Sequence, residues 1–233
     1  GRNAKFISEP LEEFIAKTEE KFDVIYLDPA RRSLEKRKVF LLEDLSPNVL
    51  EIQDRLLNLG STIITKLSPM IDLTYLVSVV NNLHKIEIIA VKNEVKEVVI
   101  HQNKNLKSKE ISVECINLET EDEAFSYTFG EEKNAVPKYG DFQKYLYIPS
   151  NALLKSGAFN LVSEKFDLYK LHQNTQLFTS ENLIKNFPGR VLEMKLVSSK
   201  EIKSGEQWNI ISKNYPLSVA EIQKKYKIKQ GGN

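Results

Sequence analysis

Apolar and polar positions alternate along the first hundred residues in a way that predicts strands and helices in turn. Asn3 to Ile7 reads as a strand, and Pro10 to Glu20 places Leu11, Phe14 and Ile15 on one helical face. The run Phe22-Asp23-Val24-Ile25-Tyr26-Leu27 is nearly continuous in apolar residues and stops at Asp28-Pro29, as a buried parallel strand does. Arg31 to Lys38 is charged and reads as a loop or a lid. Ser46-Pro47 is expected to start a helix through Val49, Leu50, Leu56 and Leu57, with Gly60 closing it. Ser61 to Lys66 is the next strand, ended by Ser68-Pro69, and Ile71 to Leu83 is another helix. Ile86 to Val91 and Val95 to His101 form two strands around a turn at Lys92-Asn93-Glu94. Strands alternating with helices of this length predict a parallel α/β sheet ending in an antiparallel hairpin.

The pattern then changes. Ile111, Val113, Cys115, Ile116 and Leu118, followed by Phe125 to Phe129, read as an antiparallel extension, and Gly130 to Gly140 reads as a linker. Beyond it the order becomes α+β. Tyr145 to Ile148 is a strand, and Ala152 to Phe166 is mostly helix with Gly157 inside it. Tyr169 to His172 is a strand, Ser180 to Asn186 a short helix, and Phe187 to Arg190 a turn before the strand Val191 to Val197. Asn209 to Lys213 is a further strand, and Ser218 with Glu221 forms a capping box for a final helix through Tyr226.

Composition narrows the class. A chain of 233 residues has room for one large or two modest domains, and no apolar stretch approaches the roughly 20 residues of a membrane span. No signal peptide is evident, and the single Cys115 excludes an internal disulfide or a multi-cysteine zinc site. A cytoplasmic protein is the expectation. The net charge of +1 hides an asymmetry: residues 1–143 carry 19 Lys+Arg against 25 Asp+Glu, and residues 144–233 carry 14 against 7. A basic second half that includes Lys224, Lys225, Lys227 and Lys229 suits nucleic acid, or simply a solvated face.

Candidate chemistry gathers at strand ends, because ligands of open α/β sheets bind beyond the strands' carboxyl termini. Asp28 is costly to desolvate without a partner, and Pro29 fixes the turn there; the plain alternative is a strand that ends in an Asp-Pro turn. Lys66 and Ser68 end the next strand, so they open onto the same edge or merely cap it. Cys115 lies in an alternating strand with no basic neighbour and reads as structural. His84, His101 and His172 have no metal-ligand spacing, so no metal is expected. Phe159, Tyr169 and Phe178 suit base stacking or, more ordinarily, the core.

The motifs taken together resemble a family. Tyr26-Leu27-Asp28-Pro29-Ala30-Arg31-Arg32 resembles the fourth motif of class I S-adenosylmethionine-dependent methyltransferases. With Lys66-Leu67-Ser68-Pro69-Met70-Ile71-Asp72, Asn93-Glu94-Val95-Lys96-Glu97, Lys155-Ser156-Gly157-Ala158-Phe159, Phe178-Thr179-Ser180 and Phe187-Pro188-Gly189-Arg190, the chain is similar to a bacterial group of such enzymes. In that group a Rossmann-like domain precedes a ferredoxin-like and a THUMP-like domain. The resemblance implies a partial Rossmann-like methyltransferase sheet over 1–130, a linker over 131–143, a ferredoxin-like α+β domain over 144–197 and the start of a THUMP-like domain over 198–233. It implies catalytic roles for Asp28 and Pro29 beside the methyl acceptor, with RNA as the partner and Arg31, Arg32, Lys66 and Ser68 as its contacts.

Two departures qualify it. No glycine-rich turn follows an early strand and no acidic residue stands ready for the ribose, so the S-adenosylmethionine site is expected to be incomplete, with the first two strands outside the chain. Ala30-Arg31 replaces the family's Pro-aromatic pair, which in enzymes acting on exocyclic amines stacks a flipped base. A non-catalytic RNA-binding or assembly module on the same scaffold is the alternative reading.

Overall fold

In a computed structural model, residues 4–31, 40–106, 110–213 and 215–231 are described. The chain divides into two compact units, one of residues 1–134 with 150–158, the other of residues 135–149 with 159–233. Among the described residues no helix is long and apolar enough to cross a membrane.

The first unit is built on a six-stranded mixed sheet. Helix α1 (Leu11–Lys17) precedes β1 (Phe22–Leu27), and a short antiparallel pair, β2 (Ala30–Arg31) and β3 (Leu45–Ser46), leads to α2 (Val49–Leu59). Then come β4 (Gly60–Leu67), α3 (Leu73–Val79), β5 (Leu83–Val91), β6 (Glu94–Gln102), β7 (Ser112–Leu118), β8 (Phe125–Thr128) and the single turn α4 (Glu131–Asn134). The sheet order is β1-β4-β6-β5-β7-β8. β1 pairs parallel with β4, and β5 parallel with β7, while β6 runs antiparallel to both β4 and β5. Strands β1, β4, β5 and β7 therefore point the same way, and their carboxyl ends share one edge.

Local chemistry explains most boundaries. Helix α2 starts at Asn48, whose side chain accepts from the Leu50 N–H at 3.1 Å; the expected start at Ser46 is corrected, because Ser46 is held in the β2–β3 pair. Asp72 caps α3 by accepting from the Tyr75 N–H at 2.7 Å, so this helix is shorter than Ile71 to Leu83, and Leu83 already belongs to β5. The two-residue turn at Lys92 and Asn93 has φ of 49° and 64°, the left-handed geometry of a tight hairpin. The hairpin does not end the sheet: its return strand inserts between β4 and β5. β7 is parallel to β5, a correction to the expected antiparallel extension, which only β8 provides. Residues 4–7 form no strand, and Phe6 is 95% exposed.

Leu27, Ile52, Leu56, Leu59 and Ile63 form the core between α2 and the sheet, with Ile15 of α1 at its margin. Each such side chain contributes about 1.5–3 kcal/mol when fully buried. Arg55 of α2 fastens α1 by donating to the carbonyls of Ile15 and Thr18 at 2.7 and 2.6 Å. Segment 150–158 brings helix α5 (Asn151–Ser156) against β5, β6 and β7, with Ala152, Leu153 and Ala158 wholly buried.

The second unit holds a five-stranded sheet in the order β13-β10-β12-β11-β9. Its elements are β9 (Lys138–Tyr139), β10 (Tyr145–Pro149), α6 (Phe159–Lys165), β11 (Tyr169–His172), β12 (Thr175–Ser180) and β13 (Gly189–Glu193). The stretch expected as a linker thus contains α4 and β9. Gly157, at φ 77°, divides the expected helix Ala152–Phe166 into α5 and α6. Ser180 to Asn186 is not a helix: Ser180 stays in β12 opposite Tyr145, and the Tyr147 hydroxyl donates to the Asn182 carbonyl and accepts from the Ile184 N–H. The backbone groups that a helix would need are spent on that one hydroxyl. The strand expected to reach Val197 ends at Glu193, and Leu196 is 72% exposed. Asn209 to Lys213 is not a strand either; β14 (Gln207–Trp208) pairs instead with β15 (Lys229–Gln230). Helix α7 (Val219–Tyr226) carries the predicted capping box, with both the Ser218 and Glu221 bonds made. Phe178 lies in the core of this unit with Tyr147, Leu161 and Val162.

Gly60 marks the tightest approach in the first core. Its backbone is extended, which any residue can adopt, but an added Cβ would lie 2.8 Å from Ile25 Cδ1 and 3.1 Å from Ile63 Cδ1. Gly60→Val is expected to destabilise the fold by about 1–3 kcal/mol in urea unfolding, and Ile25→Val in the same chain to restore part of the loss.

Candidate functional site

The carboxyl edge of β1 and β4 brings together two of the residues singled out in the sequence. Asp28 follows β1, and its Oδ2 lies 2.6 Å from Nζ of Lys66, the penultimate residue of β4. Parallel pairing creates this contact: Leu27 sits opposite Thr65, so the next residue on each strand meets at the edge. The hydrogen bond to Asp28 raises the Lys66 pKa above its ordinary value, against a smaller opposing effect of burial, and Tyr26 and Glu97 add to the field that holds the proton. Both side chains remain open to solvent, at 34% and 53% exposure.

A narrow cleft of about 20 Å³ adjoins this edge, lined by Arg31, Phe40, Asp44, Leu67, Ser68 and Ile71 among others. Arg31 is exposed in β2, and its guanidinium lies 4.5 Å from the centre of the Phe40 ring. Ser68 lines the cleft, while its hydroxyl accepts from the Met70 N–H at 3.3 Å and so shapes the turn after β4. Pro29 is partly buried between the exposed Asp28 and Ala30. Arg32, and with it the charged loop through Lys38, lies outside the described residues.

Two braces shape the cleft wall. The Tyr75 hydroxyl accepts from the Leu42 N–H at 3.1 Å and donates to Glu43, fixing the 3-10 turn Leu42–Asp44; burial, then the Glu43 bond, pushes its pKa up to about 12. Lys155 of α5 donates to the Ile71 carbonyl oxygen at 2.6 Å, and burial lowers its pKa despite the nearby Asp72. The sequence motif around Lys155 had no assigned role, and Phe40 was not singled out at all. The signal for Phe40 was the apolar run Val39 to Leu42 directly after the charged loop; for Lys155, more than 80 positions from its partner, no local pattern exists.

The same helix is held at its other end by the hairpin turn. The Asn151 N–H and carboxamide donate to Asn93 Oδ1 and to the Asn93 carbonyl at 2.7 and 2.6 Å, and the Asn93 N–H donates to Asn117 Oδ1 at 2.8 Å. Three of the motifs quoted above, around Lys66, Asn93 and Lys155, thus interlock.

The remaining candidates fall elsewhere. Cys115 is buried beside Ser156, and burial pushes its thiol up to about 12. On the sheet face, Lys85 bridges Glu87 and Glu114 at 2.7 Å each, and His101 Nε2 meets Glu87 at 2.7 Å. Burial alone would raise the Glu87 pKa, but Lys85 and His101 outweigh it and hold it below its ordinary value. Among the described residues no three His, Cys, Asp or Glu side chains are grouped as metal ligands. An apolar groove between α1, β1 and α2, lined by residues such as Phe14, Phe22, Val24 and Leu56, presents aliphatic and aromatic side chains and no charged one.

Comparison with known proteins gives two matches. A family model for a ferredoxin-like domain matches residues 145–188. A solved structure described as a "putative methyltransferase" from Porphyromonas gingivalis W83 is 32% identical, with a TM-score of 0.78 over 90% of this chain and 54% of that one. The present chain therefore spans about half the length of that protein. No curated protein matches.

Two outcomes are expected from these contacts. Lys155→Met removes the donor to a buried carbonyl and is expected to cost about 1–3 kcal/mol in denaturant unfolding, with faster amide exchange in residues 68–72. Cys115 is expected to stay unreactive towards a disulfide reagent at pH 8, where a thiol with this pKa is almost wholly protonated, and to react fully once the protein is unfolded.

Proposed function

We propose that this chain forms the acceptor side of an S-adenosylmethionine-dependent methyltransferase acting on RNA. The observation that carries the reading is the Asp28–Lys66 pair at the carboxyl edge of β1 and β4, followed along the chain by Arg31 and Ser68 of the adjoining cleft. It is supported by a similar structure described as a methyltransferase, although provisionally so. Residues 198–233 then begin the THUMP-like domain that the sequence resembles.

Each residue has a physical task in this reading. The Lys66 ammonium occupies one carboxylate oxygen of Asp28, which leaves the other oxygen to accept an N–H of the methyl acceptor. Pro29 limits the movement of that carboxylate, and methyl transfer depends chiefly on such alignment. Arg31 and the Phe40 ring offer a flat cationic and aromatic surface beside the cleft, suited to a base or a phosphate. Phe40 takes the place of the aromatic residue that Ala30-Arg31 lacks.

S-adenosylmethionine supplies an electrophilic methyl group on a sulfonium sulfur. Among the described residues no glycine-rich turn follows the carboxyl end of β1, β4, β5 or β7, and Gly60 stands at the start of its strand. The residues present fit a methyl acceptor and do not fit the cofactor. The basic second half favours one other reading: an RNA-binding or assembly module without catalysis.

The test uses the full-length protein and RNA, with labelled methyl groups supplied on S-adenosylmethionine. Asp28→Ala is expected to lower methyl incorporation by about 100-fold while RNA affinity changes little. Incorporation at the wild-type rate would remove Asp28 from the chemistry. Salt-sensitive RNA binding with no incorporation by the wild type would favour the binding module.

A further inference from the structure

The cleft that adjoins the β1–β4 edge is closed by one of its own residues. Its space of about 20 Å³ holds about one water molecule and no aromatic ring. The Arg31 guanidinium lies over the Phe40 ring, 4.5 Å from its centre, on a face that would otherwise stack against a ligand. As the cleft stands, that face is spent on Arg31.

The two partners of this contact are held very differently. Phe40 leads into the turn Leu42–Asp44, which is fixed from behind. Leu42 is wholly buried, and the Tyr75 hydroxyl accepts from its N–H at 3.1 Å and donates to Glu43. The wall at Ile71 is fixed in turn by Lys155, which donates to its carbonyl. Arg31 belongs to β2, which pairs with β3 over two residues on each strand, stands apart from the six-stranded sheet and is exposed along its length. An exposed strand of two residues opens at lower cost than a braced and buried turn. When the contact separates, Arg31 moves and Phe40 stays.

Separation leaves the ring facing a slot walled by Leu41, Leu45, Leu67 and Ile71. The guanidinium that leaves is flat, so the group that replaces it is flat as well. A nucleobase has a face for the ring and little charge to desolvate against aliphatic walls. A free phosphate or carboxylate has no such face, and its charge would be stranded there. A base stacked on an aromatic ring gains more than an exposed cation over the same ring, so the exchange favours the base. The displaced guanidinium keeps its fork of donors, which matches a phosphate group.

We propose that Arg31 is the gate of this cleft: it covers Phe40 until a nucleobase takes the ring, and then turns to the phosphate of the same nucleotide. That the nucleotide belongs to a methylated RNA rests on the function proposed above; the exchange at Phe40 does not.

Its test measures binding of the four ribonucleosides and their 5′-monophosphates to this chain by nuclear magnetic resonance, from magnetisation transferred to the base protons and from shifts of the Phe40 and Leu41 amides. Arg31→Ala is expected to strengthen nucleoside binding by about fivefold, because nothing then competes for the ring, and Phe40→Leu to abolish it. In the wild type the monophosphate is expected to bind about tenfold more tightly than the nucleoside, and in Arg31→Ala the two to bind alike. Unchanged amide signals from Leu42 to Asp44 in the unliganded variants report an intact turn. The gate is overturned if Arg31→Ala weakens nucleoside binding or leaves it as it was, if no nucleoside binds that variant, or if Phe40→Leu binds nucleosides as the wild type does. Methyl incorporation by the full-length protein keeps the two readings apart. Incorporation that depends on Asp28, without the exchange at Phe40, removes the gate and keeps the methyltransferase; the exchange without incorporation does the reverse.

Discussion

The first unit depends on the seating of one short helix. A six-stranded sheet must bury a face, and Ile86, Ile88, Val98 and Ile100 are fully buried partly because α5 lies over β5, β6 and β7. Six residues of helix have little stability of their own. The helix persists because Asn93 clasps its first residue and Lys155 its last turn, while the Tyr127 hydroxyl donates to the Ser156 carbonyl at 3.1 Å. Each contact satisfies a backbone group that packing would otherwise strand. The cleft wall at Ile71 is a by-product of this arrangement, since the lysine that secures the helix also secures the loop.

At the carboxyl edge of β1 and β4, charge rather than packing sets the geometry. Asp28 and Lys66 come within bonding distance because two parallel strands end in register. The pair is exposed and contributes little to stability. Its value is orientation: a carboxylate on a short side chain after a proline-limited turn has few places to point, and an ammonium selects one of them.

Much of this was legible in the sequence, and the exceptions share a cause. The apolar run ending at Asp28 announced β1, the two-residue turn at Lys92-Asn93 announced the hairpin, and Ser218 with Glu221 announced the last helix, because strand period, hairpin geometry and capping are local. The expected burial of β1 is corrected, since it is last in the sheet order and leaves Val24 and Tyr26 exposed. The insertion of β6 between β4 and β5 was not legible, since a hairpin's own pattern says nothing about which older strand it will join. Ser180 to Asn186 misled for a similar reason: one hydroxyl from Tyr147, more than thirty residues away, claimed the backbone. In the site, Asp28 and Lys66 were found as strand ends, whereas Lys155 is joined to the cleft wall only by a long-range contact with Ile71. The expected α/β sheet followed by a ferredoxin-like domain is the architecture observed.

The division of the chain has a consequence for its biosynthesis. Because residues 150–158 belong to the first unit and are flanked on both sides by the second, neither unit is a continuous length of polypeptide. A ribosome that has released residue 134 has delivered every strand of the first sheet but not the helix that covers it. For the time taken to add some two dozen further residues, a second or more at the usual pace of synthesis, an apolar sheet face waits without its cover. Domain shuffling meets the same obstacle, since excising the ferredoxin-like segment would remove a structural part from its neighbour. The two units are in this sense inherited as one object, whatever each of them binds.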